Sequence, residues 1–360
     1  QPACLRAFLS KFLIDQGAHS MSDMNPAPPS GSAAQAPLPP EPPQEPLEAF
    51  VTKIFIGRDG IRAGWRVAIF VAIVAALIAG LSLVTAAVSH RNGQRPEFTA
   101  ALVLLGEGLF FLIVLFASWV MSKLEHRKIA DYGLPWRSAF RGRFWQGAVI
   151  GFAAISALLA VMRGVGIFHF GAVSLHGAAI LKYAVLWGIA FLFVGFFEEF
   201  TFRGYALFTL TTGMTFWPAA ILLSICFGLI HRGNSGESWV GVLTAGLVGL
   251  LFCLLLRRTG NLWMAIGFHA TWDWGESYFY GVADSGTVSP GHLLNASFSG
   301  PAWLTGGSVG PEGSWLCVAL IVVLFVIFAV WLRDVKYPDP EALAPRTRTE
   351  PLPPLFPTSS

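Results

Sequence analysis

Eight apolar stretches set the terms for this chain, at approximately residues 65–88, 98–121, 145–165, 181–203, 216–231, 239–256, 262–281 and 314–332. A run of about 20 apolar residues crosses a bilayer only as a helix, because nothing in the hydrocarbon layer satisfies backbone groups left outside an internal hydrogen-bond ladder. The pattern predicts an all-α, polytopic membrane bundle of about eight transmembrane helices. The fifth stretch is short and the seventh carries many polar and aromatic residues, as expected of helices shielded by neighbours and bordering a wet cavity. Only 12% of the side chains are charged and 54% are hydrophobic, against about 25% charged in soluble domains.

Basic residues orient the bundle. Lys53, Arg58 and Arg62 precede the first stretch and Arg66 opens it, six Lys and Arg from Lys123 to Arg143 lie between the second and third, and Arg333 and Lys336 follow the last. The first outer link keeps Arg91 and Arg95, and the Gly- and Ser-rich link 282–313 has no Lys or Arg. Both termini are therefore expected in the cytoplasm, with 282–313 an irregular outer loop. The expected location is a bacterial inner membrane, crossed many times. A net charge of +3, spread over loop ends, leaves no footprint for nucleic acid.

Residues 26–46 hold nine prolines, a composition that cannot bury a core. The domain reading is a disordered Pro-rich tail over 1–48, a transmembrane helical domain over 49–336 and a disordered tail over 337–360. Within the first, residues 1–20 read as an addition upstream of a start at Met21. Three of the four cysteines, Cys226, Cys253 and Cys317, lie in apolar runs, where a thiol behaves as a small hydrophobe. Asn295-Ala296-Ser297 matches the N-glycosylation triplet, and an unmodified loop is the expectation. Glycine-rich stretches at 145–166 and 241–249 would permit close helix approach.

Against this background, FVGFFEEFTFRGYAL (193–207) puts Glu198, Glu199 and Arg203 at membrane depth, where each charge costs about 2.5–3.5 kcal/mol. Glu199 and Arg203, four apart with the acid first, are placed for an intrahelical ion pair, and a structural role explains them. Glu198 points about 100° away around the helix and needs a partner from another segment. His231 closes the fifth stretch, while His269 and Asp273 share one face of the seventh and serve either as a polar clamp or in a common pocket with Glu198. A carboxylate beside a neutral imidazole can hold and deprotonate a water. The second imidazole and the Asp would then steady a developing oxyanion. Glu107, isolated in the second stretch, reads as a helix-packing hydrogen bond, with a place in the cavity wall or on a cation as the alternative, and Trp272 and Trp274 read as pocket-shaping or interfacial residues.

Taken in order on three successive hydrophobic blocks, Glu198-Glu199-x3-Arg203, Phe227-x3-His231 and His269-x3-Asp273 resemble the CPBP family of intramembrane proteases, which includes the CAAX prenyl endopeptidases and the bacteriocin-processing and immunity proteins. The likeness covers about 180–280 and implies that Glu198, helped by His231, activates the attacking water. It assigns His269 and Asp273 to the tetrahedral intermediate, and Glu199 and Arg203 to organising the site. In the eukaryotic CAAX enzymes Asn stands where this chain has Asp273, a departure that casts Asp273 as protonated or as an orienter of His269. The family has been described both as glutamate-dependent and as an intramembrane metalloprotease. Without an H-E-x-x-H helix no cofactor is expected, with zinc the alternative.

The function that follows is hydrolysis of a peptide bond in a membrane-associated protein or peptide, within the lipid bilayer. Two other classes compete: a non-proteolytic scaffold or immunity-type binding protein of the same fold, and a proton-coupled transporter. The transporter lacks matched broken-helix repeats.

Overall fold

The computed structural model describes residues 54–57, 60–92, 99–234 and 236–343; the Pro-rich tail and the segment before Met21 lie outside them. A hairpin of two short strands, β1 (Ile56–Gly57) and β2 (Gly60–Ile61), leads into α1 (Ala63–Asn92), α2 (Ala100–Leu124) and α3 (Gly142–Gly164). Then come α4 (Ala178–Glu199), α5 (Leu207–Met214), α6 (Phe216–His231), α7 (Trp239–Thr259) and α8 (Trp263–Asp273). After α8 the chain forms a short α9 (Ala302–Thr305), then α10 (Trp315–Trp331) and a final turn, α11 (Pro340–Leu343). The protein is a helical membrane bundle.

Local chemistry explains several boundaries. The hydroxyls of Thr99, Ser238 and Ser314 cap α2, α7 and α10 by accepting from the backbone N–H three residues on, and α7 stops at Gly260 in the left-handed conformation. Among the described residues five helical segments are long and apolar enough to cross a membrane, including a continuous one from Ala178 to Met214. The apolar helices α6 and α10 are shorter. At 16 residues α6 spans only about 24 Å, and it is not enclosed by neighbours as its shortness implies: one face packs inward through Phe227 and Gly228 while Ile221, Ile225, Leu229 and Ile230 on the other are exposed. The outward faces of α1 and α10 are aliphatic, with Leu83, Val84, Val326 and Val330 all exposed, as lipid contact requires.

Two departures from the expected helices matter for the site. The fourth does not end at 203; it continues through π-helical turns over Phe200–Ala206 into α5. Gly204 departs from helical geometry there, and a Cβ on it would meet the ring of Phe200 at 2.6 Å. The seventh likewise turns from α8 into a π segment, Trp274–Tyr280. Such turns widen the helix and re-aim side chains, and they recur at functional sites.

Small residues draw the site-bearing helices together. A Cβ on Gly147 would lie 2.0 Å from the carbonyl oxygen of Met264, on Gly151 2.2 Å from that of Phe268, and on Gly267 2.2 Å from that of Phe144. The backbones of α3 and α8 therefore touch, and Thr271 Oγ1 donates to the carbonyl of Ala148 across the seam at 2.7 Å. On the other side Gly228 admits the backbone of α7 against α6.

The loops are more ordered than their composition implies. Strand β3 (Phe168–His169) pairs antiparallel with β4 (Ser297–Phe298), and Val173 bridges Leu294, so the link expected to be irregular is fastened by main-chain bonds. The exposed Asn295 lies on this fastened stretch. Packing also continues beyond 336. Tyr337 is buried against Phe208 and Phe216, its N–H reaches the carbonyl of Arg257, and Arg127 donates to the carbonyl of Ala342. One buried aromatic and these main-chain anchors hold a proline-rich segment that composition alone marks as a tail.

Candidate active site

Helix α4 carries Glu198 and Glu199 on adjacent faces, and the π turn that follows carries Arg203. Glu199 is fully buried and Arg203 is 1% exposed; they pair at 3.3 Å between Oε1 and Nη1, as their spacing predicts. Glu199 has a second partner that spacing does not show. Nδ1 of His269, on α8, lies 3.0 Å from the same Oε1. Because a carboxylate oxygen only accepts, that nitrogen carries the proton. The opposite edge of the ring faces Asp273 Oδ2 at 3.4 Å and Glu198 Oε2 at 3.7 Å. Glu198 thus finds on another helix the partner its own segment lacks.

The second motif joins through Phe227. Its ring lies under the guanidinium of Arg203, with 4.2 Å from Cζ to the ring centroid, a cation–π contact that strengthens away from water. Its carbonyl oxygen sits 2.8 Å from Nδ1 of His231. A carbonyl cannot donate, so the proton of neutral His231 is on Nδ1 and the lone pair is on Nε2. Phe227 therefore supports the guanidinium from one side and fixes the tautomer of His231 from the other. No direct hydrogen bond joins His231 to Glu198; both line one cavity.

That cavity has a volume of 410 Å³ and is also lined by His269, Asp273 and Phe252, within the roughly 300–1,000 Å³ of ligand pockets. Trp272 forms part of the wall. Trp274 does not; its indole N–H donates to the carbonyl of Ala184 and ties the π segment to α4. Glu107, expected to make a helix-packing hydrogen bond, instead lines the cavity, and no bond to a described residue holds it. Tetrahedral zinc needs ligand atoms converging from three or four residues. No three of Glu198, His231, His269 and Asp273 bring ligand atoms within 4.8 Å of one another; among the described residues only Glu276, Asp284 and Glu312 do. The histidines and acids of the motifs do not form a zinc donor set in this geometry.

Four acids around the cavity escape a reading by motif. Glu237 lies just before α7, Asp284 and Glu312 sit in the link 282–313, and Glu276 is fully buried behind them. Asp284 accepts from Ser277 Oγ at 3.0 Å, and Glu312 accepts from Trp272 Nε1 at 3.0 Å and Ser285 Oγ at 3.2 Å. Burial, and after it the neighbouring charge of Glu312, pushes the Asp284 carboxyl up to about 8. One signal in the sequence points to this group: the link 282–313 contains two acids, Asp284 and Glu312, and no Lys or Arg to balance them.

The fold and site define a helical membrane bundle in which Glu198, His231, His269 and Asp273 line one cavity, with the buried Glu199–Arg203 pair behind them. Residues 180–275, which contain all six motif residues, match the family model described as Type II CAAX prenyl endopeptidase Rce1-like. The match is confined to that segment and agrees with the resemblance carried by the three motifs. No curated protein and no solved structure was found to match the chain.

Proposed function

We propose that the protein is an intramembrane endopeptidase that uses a water activated by Glu198 and His231 to cleave a membrane-associated peptide or protein. One observation carries this reading: His269 is clamped through Nδ1 by a fully buried Glu199 and turns its other nitrogen toward Glu198 and Asp273. A side chain held so firmly, in a cavity that also presents a carboxylate and a second imidazole, is preorganised, which is what transition-state stabilisation demands.

In the proposed sequence Glu198 takes the proton of a water that the Nε2 lone pair of His231 helps to orient, and the oxygen attacks the scissile carbonyl carbon. The oxyanion that forms is met by Nε2–H of His269. Asp273, 3.4 Å from Nε2 of His269, keeps the ring aligned by its charge; its proximity to the oxyanion requires the extra proton that leaves the water to reside on the Glu198–Asp273 side of the ring. Transfer of that proton to the departing amine completes hydrolysis. Arg203 offsets the charge of Glu199 throughout.

The cavity shares its mouth with Asp284, Thr287, Ser289 and Glu312, the link without Lys or Arg, whereas Arg127, Arg257, Arg258 and Lys336 cluster at the other end of the helices. With the basic end in the cytoplasm, the substrate enters from the non-cytoplasmic side of a bacterial inner membrane. Detergent-purified protein assayed on quenched peptides is the test. Glu198→Gln and His231→Ala should each lower kcat by about 10²–10⁴-fold, the usual contribution of general-base catalysis, with the melting temperature retained. Cleavage at wild-type rate by either variant would remove the proposal.

A further inference from the structure

The cluster of Glu276, Asp284 and Glu312 has no place in the hydrolysis just described. Each of the three residues offers a carboxylate oxygen that lies within 4.8 Å of the others'. None of them pairs with Lys, Arg or His among the described residues. Three carboxylates so close repel strongly whenever they are ionised together in a partly buried setting. Asp284 and Glu312 are each held by serine or indole donors, but these are neutral.

Glu276 is the separate and more telling observation. It is 0% exposed, and neither of its carboxylate oxygens has a hydrogen-bond partner among the described residues. The nearby indole N–H of Trp272 is committed to Glu312. A buried carboxylate without donors costs several kcal/mol unless a counter-charge is supplied. Its oxygen lies close to the two carboxylates of the link, with which no Lys, Arg or His among the described residues pairs.

We propose that Glu276, Asp284 and Glu312 form a Ca²⁺ site, and that the bound ion fastens the outer link to the π segment at the mouth of the cavity. All three ligands are hard oxygens, which Ca²⁺ takes at about 2.3–2.6 Å. Two ligands on opposite sides of such an ion stand about 4.6–5.2 Å apart, so the cluster fits around it. Ligands drawn from an irregular link and a π turn suit the variable geometry of Ca²⁺ better than the strict octahedron of Mg²⁺. Asp284 and Glu312 face the cavity, which provides a path of entry. The ion joins 281–314 to the segment that directly continues α8, and Trp272, one residue from Asp273, is already bonded to one of its ligands.

The site is independent of proteolysis, and so is its test. Full-length protein in detergent is titrated with Tb³⁺, a luminescent Ca²⁺ analogue excited through nearby tryptophan, and its melting temperature is measured in Ca²⁺, Mg²⁺ and EGTA. The expected result is saturable emission displaced by Ca²⁺ and a melting temperature several degrees higher in Ca²⁺ than in EGTA, with a smaller shift in Mg²⁺. Asp284→Asn and Glu312→Gln should each weaken Tb³⁺ binding at least tenfold, and each should fold in EGTA because it relieves repulsion. Trp272→Phe should dim the emission while keeping the Ca²⁺-induced shift. Absence of both emission and shift in the wild type would overturn the site, as would undiminished Tb³⁺ binding by the Asp284→Asn, Glu312→Gln double variant; an equal Mg²⁺ response would overturn the choice of ion.

Discussion

His269 donates through Nδ1 to Oε1 of Glu199 at 3.0 Å, and that same oxygen is the one Arg203 contacts at 3.3 Å. One carboxylate oxygen thus ties the fourth apolar segment to the seventh, and the intrahelical ion pair is half of a longer chain running from Arg203 through Glu199 and His269 to Asp273. Removing the carboxylate strands two cationic or donor groups in a buried place. Glu199→Ala should cost about 3–5 kcal/mol of stability, the usual penalty for an orphaned buried charge. Replacing Glu199 and Arg203 together by methionine should recover most of it. Thermal unfolding in detergent reads both; a Glu199→Ala protein as stable as the wild type would mean the pair carries no structural weight.

The seam between α3 and α8 positions His269 and Asp273 against α4, and it tolerates no side chain at Gly151. A Cβ there would meet the carbonyl oxygen of Phe268 at 2.2 Å, a main-chain atom that cannot step aside alone. Gly151→Ala should therefore lower both the melting temperature and the peptidase rate, and Gly151→Val should do so more severely. At Gly106 a Cβ meets nothing within 4 Å, so Gly106→Ala should leave both unchanged. Equal behaviour of the two alanine variants would contradict the close packing.

Placement of the cavity mouth on the non-cytoplasmic side is checked by labelling. Val288 is 55% exposed in the link 282–313. In a background with the four native cysteines replaced, Val288→Cys in intact bacterial cells should react with a maleimide that cannot cross the inner membrane. Protection in intact cells, with labelling only after lysis, would invert the topology and the direction of substrate entry.

Mechanistic class is open to chelation. Phenanthroline, which removes transition metals and spares Ca²⁺, should leave cleavage unchanged, because the histidines and acids of the motifs do not converge as a zinc set. Loss of activity that is restored by added Zn²⁺ would show that the cavity rearranges into one.

The legible part of this protein is the part governed by local spacing. Apolar runs of about 20 residues can only be membrane helices, which settles the fold class. Residues four apart share a helical face, which settles the pairing of Glu199 with Arg203 and of His269 with Asp273. The same logic could not decide that Glu107 lines the cavity, and it did not find the trio of Glu276, Asp284 and Glu312, since their neighbours come from distant parts of the chain. Nor did composition distinguish a free proline-rich tail from one anchored by Tyr337.

What the sequence determined by itself was therefore the bundle, the depth of its charges and the order of its three motifs, because hydrophobic length and helical period act within a single segment. The tertiary structure decided which acid holds His269, which tautomer His231 adopts and where the unbalanced carboxylates meet. Those outcomes depend on backbones brought into contact at Gly147, Gly151 and Gly267 and on two π turns that re-aim the segments after Glu199 and Asp273, and no local rule fixes either.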